Sequence, residues 1–183
     1  MTSSKKIVTL VSAEGVSCTV NRDVICMSNV IKNILNDIDD DNEPIPLPNI
    51  KTNVLNKIID YCKHHYNNPP TQIPQPLKSS QLNEVVSEWD YEFVNVDKEF
   101  LFELILAENF LDIKPLLDLT CAKVASMIKG KTPEQIRREF DIINDFTPEE
   151  EAKVYIRYLV TYQFVKRTNG VKNFDTYLTE LIC

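Results

Sequence analysis

The first 66 residues alternate between strand-like and helix-like spacing of apolar positions. Two short apolar runs, residues 6–11 and 16–20, flank a turn that contains Gly15 and predict a β-hairpin. Asn21 is a suitable N-cap for a helix through Leu35, and a second helix is predicted over residues 52–65. The inward positions of these two helices are predicted to be Val24, Met27, Ile31 and Ile34, then Val54, Leu55, Ile58, Ile59 and Cys62. Between the helices, prolines alternate with apolar residues over 44–48, so any strand there is predicted to be short and to lie at an edge or a bulge.

Residues 100–146 carry helical spacing almost without interruption. Asp112 is predicted to cap a helix that has Pro115 in its first turn and ends at Gly130, a residue free to take positive φ. Thr132 then restarts the helix, with Pro at the first position and Gln three residues on, which is the pattern of a capping box. Thr147 repeats the same device. This block therefore predicts stacked, capped helices.

The two halves are joined by residues 67–88, which hold four prolines and few large apolar side chains, and which predict a flexible connector or an irregular excursion. The acidic run at 37–43 lacks the Gly and terminal Glu of a calcium loop, so we interpret it as a solvated loop. The predicted fold class is α/β and mostly helical: a small sheet flanked by helices, with a C-terminal helical extension.

The composition disfavours several classes of function but does not assign one. A formal net charge of −7 over 183 residues disfavours a nucleic-acid surface, because such affinity rests on clustered Lys and Arg. No signal-like segment opens the chain, and no apolar run is long enough to span a membrane. The five cysteines are odd in number and widely spaced, which favours reduced thiols in the cytoplasm or nucleus.

Candidate chemistry is sparse. The two histidines, His64 and His65, are adjacent at a predicted helix end, where successive side chains point about 100° apart and cannot easily share one metal or substrate. Three glycines leave no phosphate-binding loop. We therefore expect no catalytic residues, no cofactor, no metal and no enzyme activity, with solvation of the helix end explaining the histidines.

The helical block holds more apolar residues than one small layer needs. These are Leu116, Leu117, Cys121, Val124, Ile128, Ile136, Phe140, Ile142, Ile143 and Phe146. All of them could pack against the sheet, or part of the surface could receive an amphipathic partner, as helix-in-groove recognition requires. Periodicity alone leaves both alternatives open.

Five stretches resemble the Skp family, the adaptors of SCF cullin-RING ubiquitin ligases. They are PLPN at 46–49, WDYEF at 89–93, LFELILAENFLDIK at 101–114, VASMIKGKTPEQIR at 124–137 and NDFTPEEEA at 144–152. The resemblance covers about residues 5–154. It implies a BTB/POZ-type fold and a non-enzymatic adaptor that bridges a cullin to F-box substrate receptors for ubiquitin-dependent degradation.

The resemblance also implies which residues bind. Asn109 and Phe110 fall on the family's cullin-binding pair, where Phe replaces a frequent Tyr and loses its hydroxyl. The F-box side falls on Leu116, Cys121, Val124, Ile136, Phe140, Ile142 and Phe146. Pro148 stands where some family members carry a modified proline, although a proline in the first turn of a helix is the simpler interpretation.

The implied division is a BTB/POZ-like sheet with helices at 5–66, the connector at 67–88, further BTB/POZ helices at 89–130 and an F-box-binding extension at 131–154. Residues 155–183 depart from the family, which normally ends in a short helix with Asn-x-Trp-Cys. This tail could be a lineage-specific helix, the product of a different exon or retained intron, or disordered. We favour the exon origin and expect weakened F-box binding. The alternative function is a self-associating BTB-type module, a weak homodimer whose F-box binding is impaired by this divergent tail.

Overall fold

The structure is a computed structural model that describes residues 6–37, 43–75, 77, 79–150, 152–153 and 156. Its backbone divides into two compact units. The first comprises the chain up to Ile73 together with Val86–Lys123, and the second comprises Pro74–Val85 and the chain from Val124 onward. Each is described by itself below. The predicted tail at 155–183, apart from Ile156, and most of the acidic loop at 37–43 lie outside the described residues.

A three-stranded sheet in the order β2-β1-β3 lies in the first unit. Strands β1 (Ile7–Val11) and β2 (Ser17–Asn21) are antiparallel, with Thr9 opposite Thr19. Gly15 takes φ +75 in the turn between them, as the predicted hairpin requires. The two-residue strand β3 (Ile45–Pro46) runs parallel to β1 and confirms the short edge strand expected from the alternating prolines. Val8 and Leu10 are fully buried, so β1 turns one face toward the core.

The single helix predicted after Asn21 is wrong, because two helices occupy that stretch. Asn21 does cap α1 (Arg22–Ile25) through its side chain, but the chain breaks before α2 (Asn29–Asp37). At the break the Ser28 hydroxyl accepts from the amide of Ile31 and donates to the carbonyl of Leu111. The break rotates the buried face, so the buried residues are Val24, Ile25, Ile31 and Leu35, whereas Met27 and Ile34 are half-buried.

Helix α3 (Thr52–Asn67) confirms the second predicted helix, and all five predicted inward residues are buried. Its first turn is tied to the hairpin because the Glu14 carboxylate accepts from both the amide and the hydroxyl of Thr52, at 2.8 and 2.7 Å. These hydrogen bonds lower the pKa of Glu14. Tyr61 and His65 are also buried on α3, which the apolar pattern did not indicate.

Helices α4 (Glu88–Phe93), α5 (Lys98–Leu111) and α6 (Lys114–Ile128) complete the first unit, although the last five residues of α6 belong to the second. Asp97 caps α5 by accepting from the amide of Phe100. The prediction that Asp112 caps α6 is wrong. Asp112 instead ends α5 in the left-handed conformation with φ 50, and its carboxylate accepts from the amide group of Asn29.

The second unit contains a 3-10 turn (Leu82–Glu84) and helix α7 (Pro133–Glu139) among its described residues. Gly130 takes φ +76 after α6, and Thr132 and Gln135 form the predicted capping box. Thr147 and Glu150 exchange the same pair of bonds around a further helical turn at 148–150. These three local predictions are confirmed.

Candidate partner-binding surfaces

Helix α5 presents an apolar ridge to solvent in the first unit. Phe102, Leu106 and Phe110 follow one another at four-residue spacing, which places them on one face, and their exposed fractions are 42%, 72% and 49%. The opposite face is buried through Leu101, Leu104 and Leu111. A line of three large apolar side chains on an exposed face is a feature of partner-binding surfaces. Sequence reasoning had singled out only Phe110 of the three.

An open groove of about 280 Å³ runs beside this ridge. Leu106, Ala107 and Phe110 form one wall, and the other comes from the start of α3 and the loop before it, at Asn49, Ile50, Lys51 and Val54. Lys51 lies 2.6 Å from Glu103, a further lining residue, and this ion pair raises the pKa of Lys51. The groove is therefore apolar, with a paired charge among its lining residues.

The predicted pair Asn109–Phe110 lies in the last turn of α5, and both residues are exposed. The turn is closed by backbone hydrogen bonds, from Asp112 to the carbonyl of Asn109 at 3.2 Å and from Ile113 to that of Glu108 at 3.1 Å. The Asp112 carboxylate is bound at 2.8 Å by Asn29 of α2. These bonds fix the backbone that carries the pair, so Phe110 is presented from a defined turn.

Glu108, directly before that pair, is a fully buried carboxyl group. One of its oxygens accepts a hydrogen bond from the Thr120 hydroxyl of α6, and the other has no partner among the described residues. Burial raises the pKa of Glu108 to about 8, against the smaller opposite effect of the Thr120 bond. A carboxyl group in this position carries its proton at neutral pH.

Both histidines make contacts within the described part of the chain. His65 is buried, with one ring nitrogen 2.8 Å from Asp90 of α4 and the other 2.7 Å from the carbonyl of Asn68. His64 stacks on Trp89 with ring centroids 3.7 Å apart. Helix-end solvation is therefore the wrong explanation for His65, because α4 returns to supply a partner that sequence spacing did not show. The described residues include no group of three or more metal-ligating side chains.

The second unit exposes apolar side chains around and after α7. Ile142, Ile143 and Phe146 are exposed, with Ile143 at 86%, and Ile136 and Phe140 are half-buried. The helix has defined ends: Thr132 caps its start, and Asp141 in the left-handed conformation allows the Ile142 amide to bond the carbonyl of Arg137 at 2.8 Å. The Arg137 guanidinium lies 5.7 Å from the centre of the Phe146 ring.

The seven residues predicted for the F-box side do not share one environment. Val124, Ile136 and Phe140 of the second unit are half-buried and Ile142 and Phe146 of that unit are exposed, whereas Leu116 and Cys121 belong to the first unit. Cys121 is exposed, but Leu116 is fully buried and supports the core, so it offers no accessible surface. Ile143 was missed in that selection. Its place after the Asp141 turn was not evident from helical periodicity.

Within the described part of the chain, no helix combines the length and apolarity needed to cross a membrane. The candidate partner-binding surfaces are the α5 ridge with its groove, in the first unit, and the apolar positions of 136–146, in the second.

Comparisons with known proteins identify relatives over most of the chain. The Skp1 family tetramerisation domain matches residues 6–67, and the Skp1 family dimerisation domain matches residues 114–156. A protein of Arthroderma benhamiae named E3 ubiquitin ligase complex SCF subunit sconC is 50% identical over 147 residues, covering 80% of this chain and 90% of that protein. The SCF ubiquitin ligase complex protein SKP1a of Dictyostelium discoideum is 47% identical over 148 residues, covering 81% and 91%.

Proposed function

The chain belongs to the Skp1 family, and on that premise we propose that it is the adaptor of an SCF-type E3 ubiquitin ligase, bridging a cullin scaffold to F-box substrate receptors. Two relatives that this chain matches over about 90% of their length are named as subunits of such a complex. An adaptor of this kind acts by raising the concentration of a substrate near the charged enzyme, so it has no need of catalytic groups. We infer that the chain itself is not an enzyme.

The observation that carries the proposal is the α5 ridge and its groove around the Asn109–Phe110 pair. A fixed turn presents an aromatic ring next to Leu106, and the groove beside them accepts apolar side chains. Interfaces draw most of their affinity from a few such apolar anchors. We assign this surface to the cullin, and we extend it from the predicted pair to Phe102 and Leu106.

For the F-box receptor we assign the apolar positions of the second unit, Val124, Ile136, Phe140, Ile142 and Phe146, and we add Ile143. Exposed aliphatic and aromatic side chains on and beyond a short capped helix suit an amphipathic partner helix. Cys121, exposed in the first unit, stays a prediction. Leu116 is left out because it is buried.

The cullin assignment is tested by the affinity of the full-length chain for a cullin N-terminal fragment. We expect Phe110→Ala and Leu106→Ala each to weaken binding by about tenfold or more, which corresponds to roughly 1.4 kcal/mol per anchor. Tyr66→Ala is the matched control, since this ring is equally exposed at 50% but lies outside the groove. Equal losses in all three variants, or none in any, would refute the assignment.

Self-association is the second candidate function, favoured by the exposed apolar residues of 142–146 and by the family description as a dimerisation domain. A weak homodimer formed by these residues would compete with an F-box partner. Light scattering of the chain with increasing F-box peptide separates the two roles. Dissociation of a dimer supports a shared surface, and a dimer that persists at saturating peptide excludes it.

We also infer a cytoplasmic and nuclear location, supported by the free thiols of Cys18, Cys26 and Cys62. Microscopy of the tagged chain tests it. Pro148 is exposed at the start of a helical turn, as a modified proline would need to be, and mass spectrometry of the purified protein tests for an added hydroxyl or sugar.

A further inference from the structure

The Glu108 carboxyl group is buried next to the turn that we assign to cullin binding, and this burial requires a physical explanation. Glu108 immediately precedes Asn109–Phe110, and its backbone carbonyl accepts from the amide of Ile113. Its side chain is fully buried and meets Thr120 of α6. Backbone and side chain of one residue thus join the end of α5 to α6, directly below the exposed pair.

The hydrogen bonds around Thr120 distinguish the two protonation states of Glu108. The Thr120 hydroxyl has one proton and three acceptors in reach: the carboxyl group, and the carbonyls of Leu116 and Leu117 at 3.2 and 3.1 Å. A protonated Glu108 can donate to the hydroxyl oxygen, which then donates to one of the carbonyls. An ionised Glu108 has Thr120 as its donor, and its second oxygen has no partner among the described residues.

The surroundings do not compensate a negative charge on Glu108. Titratable side chains on the neighbouring helices include Tyr61, Cys62 and His65 on α3, Asp90 on α4, Asp118 on α6, and Lys32 and Asp37 on α2, and of these Tyr61 interacts electrostatically with Glu108. His65 is engaged by Asp90, and Lys32 and Asp37 are exposed. Within the described chain, no cation contributes to the pKa of Glu108, which burial raises to about 8. Ionisation therefore costs more in the folded state than in water.

We propose that Glu108 is a positioning residue: its proton holds the α5–α6 junction closed through Thr120, and partner binding at Asn109–Phe110 weakens when that proton is lost. The inference rests on the cullin-binding role proposed above. It adds a pH dependence to that surface, with binding strong at neutral pH and weaker in the alkaline range.

The binding test compares the full-length chain with Glu108→Gln, whose amide reproduces the donor of the protonated acid and does not titrate. The affinity for the cullin fragment is measured at about pH 7 and pH 9. We expect the dissociation constant of wild type, divided by that of the variant, to rise at least about fivefold from pH 7 to pH 9. Glu99→Gln, an exposed carboxylate on the same helix, controls for loss of charge. A ratio that stays constant with pH would overturn the proposal.

Two measurements on the chain alone test the role of Glu108 independently of cullin binding. Carbon-13 NMR of the Glu108 carboxyl should show a midpoint near pH 8, and amide exchange should show Asp112 and Ile113 losing protection above it in wild type but not in Glu108→Gln. If the cullin fragment binds at no pH, the adaptor role fails and these two signals decide the proposal alone. A midpoint below pH 6, or unchanged protection, would overturn it.

Discussion

Replacing Glu108 by Gln should make the protein less sensitive to alkali, and the size of the effect follows from the buried site. Folding raises the pKa of this carboxyl group from an ordinary 4.5 to about 8. As the pH rises between those values, the unfolded chain releases the proton while the folded chain keeps it. The stability linked to the bound proton is fully present below pH 4.5, and it is lost progressively as the pH rises through 8.

Each unit of pKa difference corresponds to about 1.4 kcal/mol, so the complete loss amounts to roughly 5 kcal/mol. Between about pH 5.5 and pH 8.5, a span that most proteins tolerate, the loss is roughly 3 kcal/mol. Other titrating groups are common to both proteins and cancel in the comparison. Cys62 does not interfere, because burial raises its pKa to about 12.

The assay is urea unfolding of wild type and Glu108→Gln at both pH values, followed by far-ultraviolet circular dichroism. The free energy of unfolding of wild type should fall relative to that of the variant by roughly 3 kcal/mol across the span. If the free energies of unfolding of the two proteins change equally between the two pH values, the reasoning is refuted. That result would mean that Glu108 ionises as easily in the folded chain as in the unfolded one.

Three further predictions concern packing and caps. Leu104→Ala empties a fully buried position and should lower the free energy of unfolding by about 2–5 kcal/mol, measured in urea. Thr132→Ala breaks the capping box of α7 and should cost about 0.5–2 kcal/mol, seen as faster amide exchange at Gln135. Gly130→Ala meets no atom within 4 Å but must keep φ +76, so thermal unfolding should reveal a strain of about 1–2 kcal/mol.

Local features were predicted well because their causes lie within a few residues. Asn21 caps α1 and Thr132 bonds Gln135 through partners two or three positions away. The prolines in and around β3 keep it short and at the sheet edge, because proline has no backbone N–H to donate to a neighbouring strand. The BTB/POZ-like combination of a small sheet and helices follows from these signals taken together with the family motifs.

The errors concern residues whose partners are distant in sequence. Ser28 breaks the first predicted helix while bonding Leu111, 83 positions away. Asp112 takes a left-handed conformation and binds Asn29, at the same separation. His65 is buried by Asp90 from another helix. Apolar spacing also did not separate Leu116, which is buried, from the exposed Leu106, because both lie on helices rich in apolar residues on every side.

The proposed function requires one chain to hold a cullin and an F-box receptor at the same time on different surfaces. Size-exclusion chromatography with light scattering, applied to the full-length protein mixed with a cullin N-terminal fragment and an F-box segment, tests this directly. We expect a single complex that contains one copy of each protein. Phe110→Ala should abolish binding of the cullin fragment and leave binding of the F-box segment unchanged. Displacement of one partner by the other, or failure of both to bind, would contradict it.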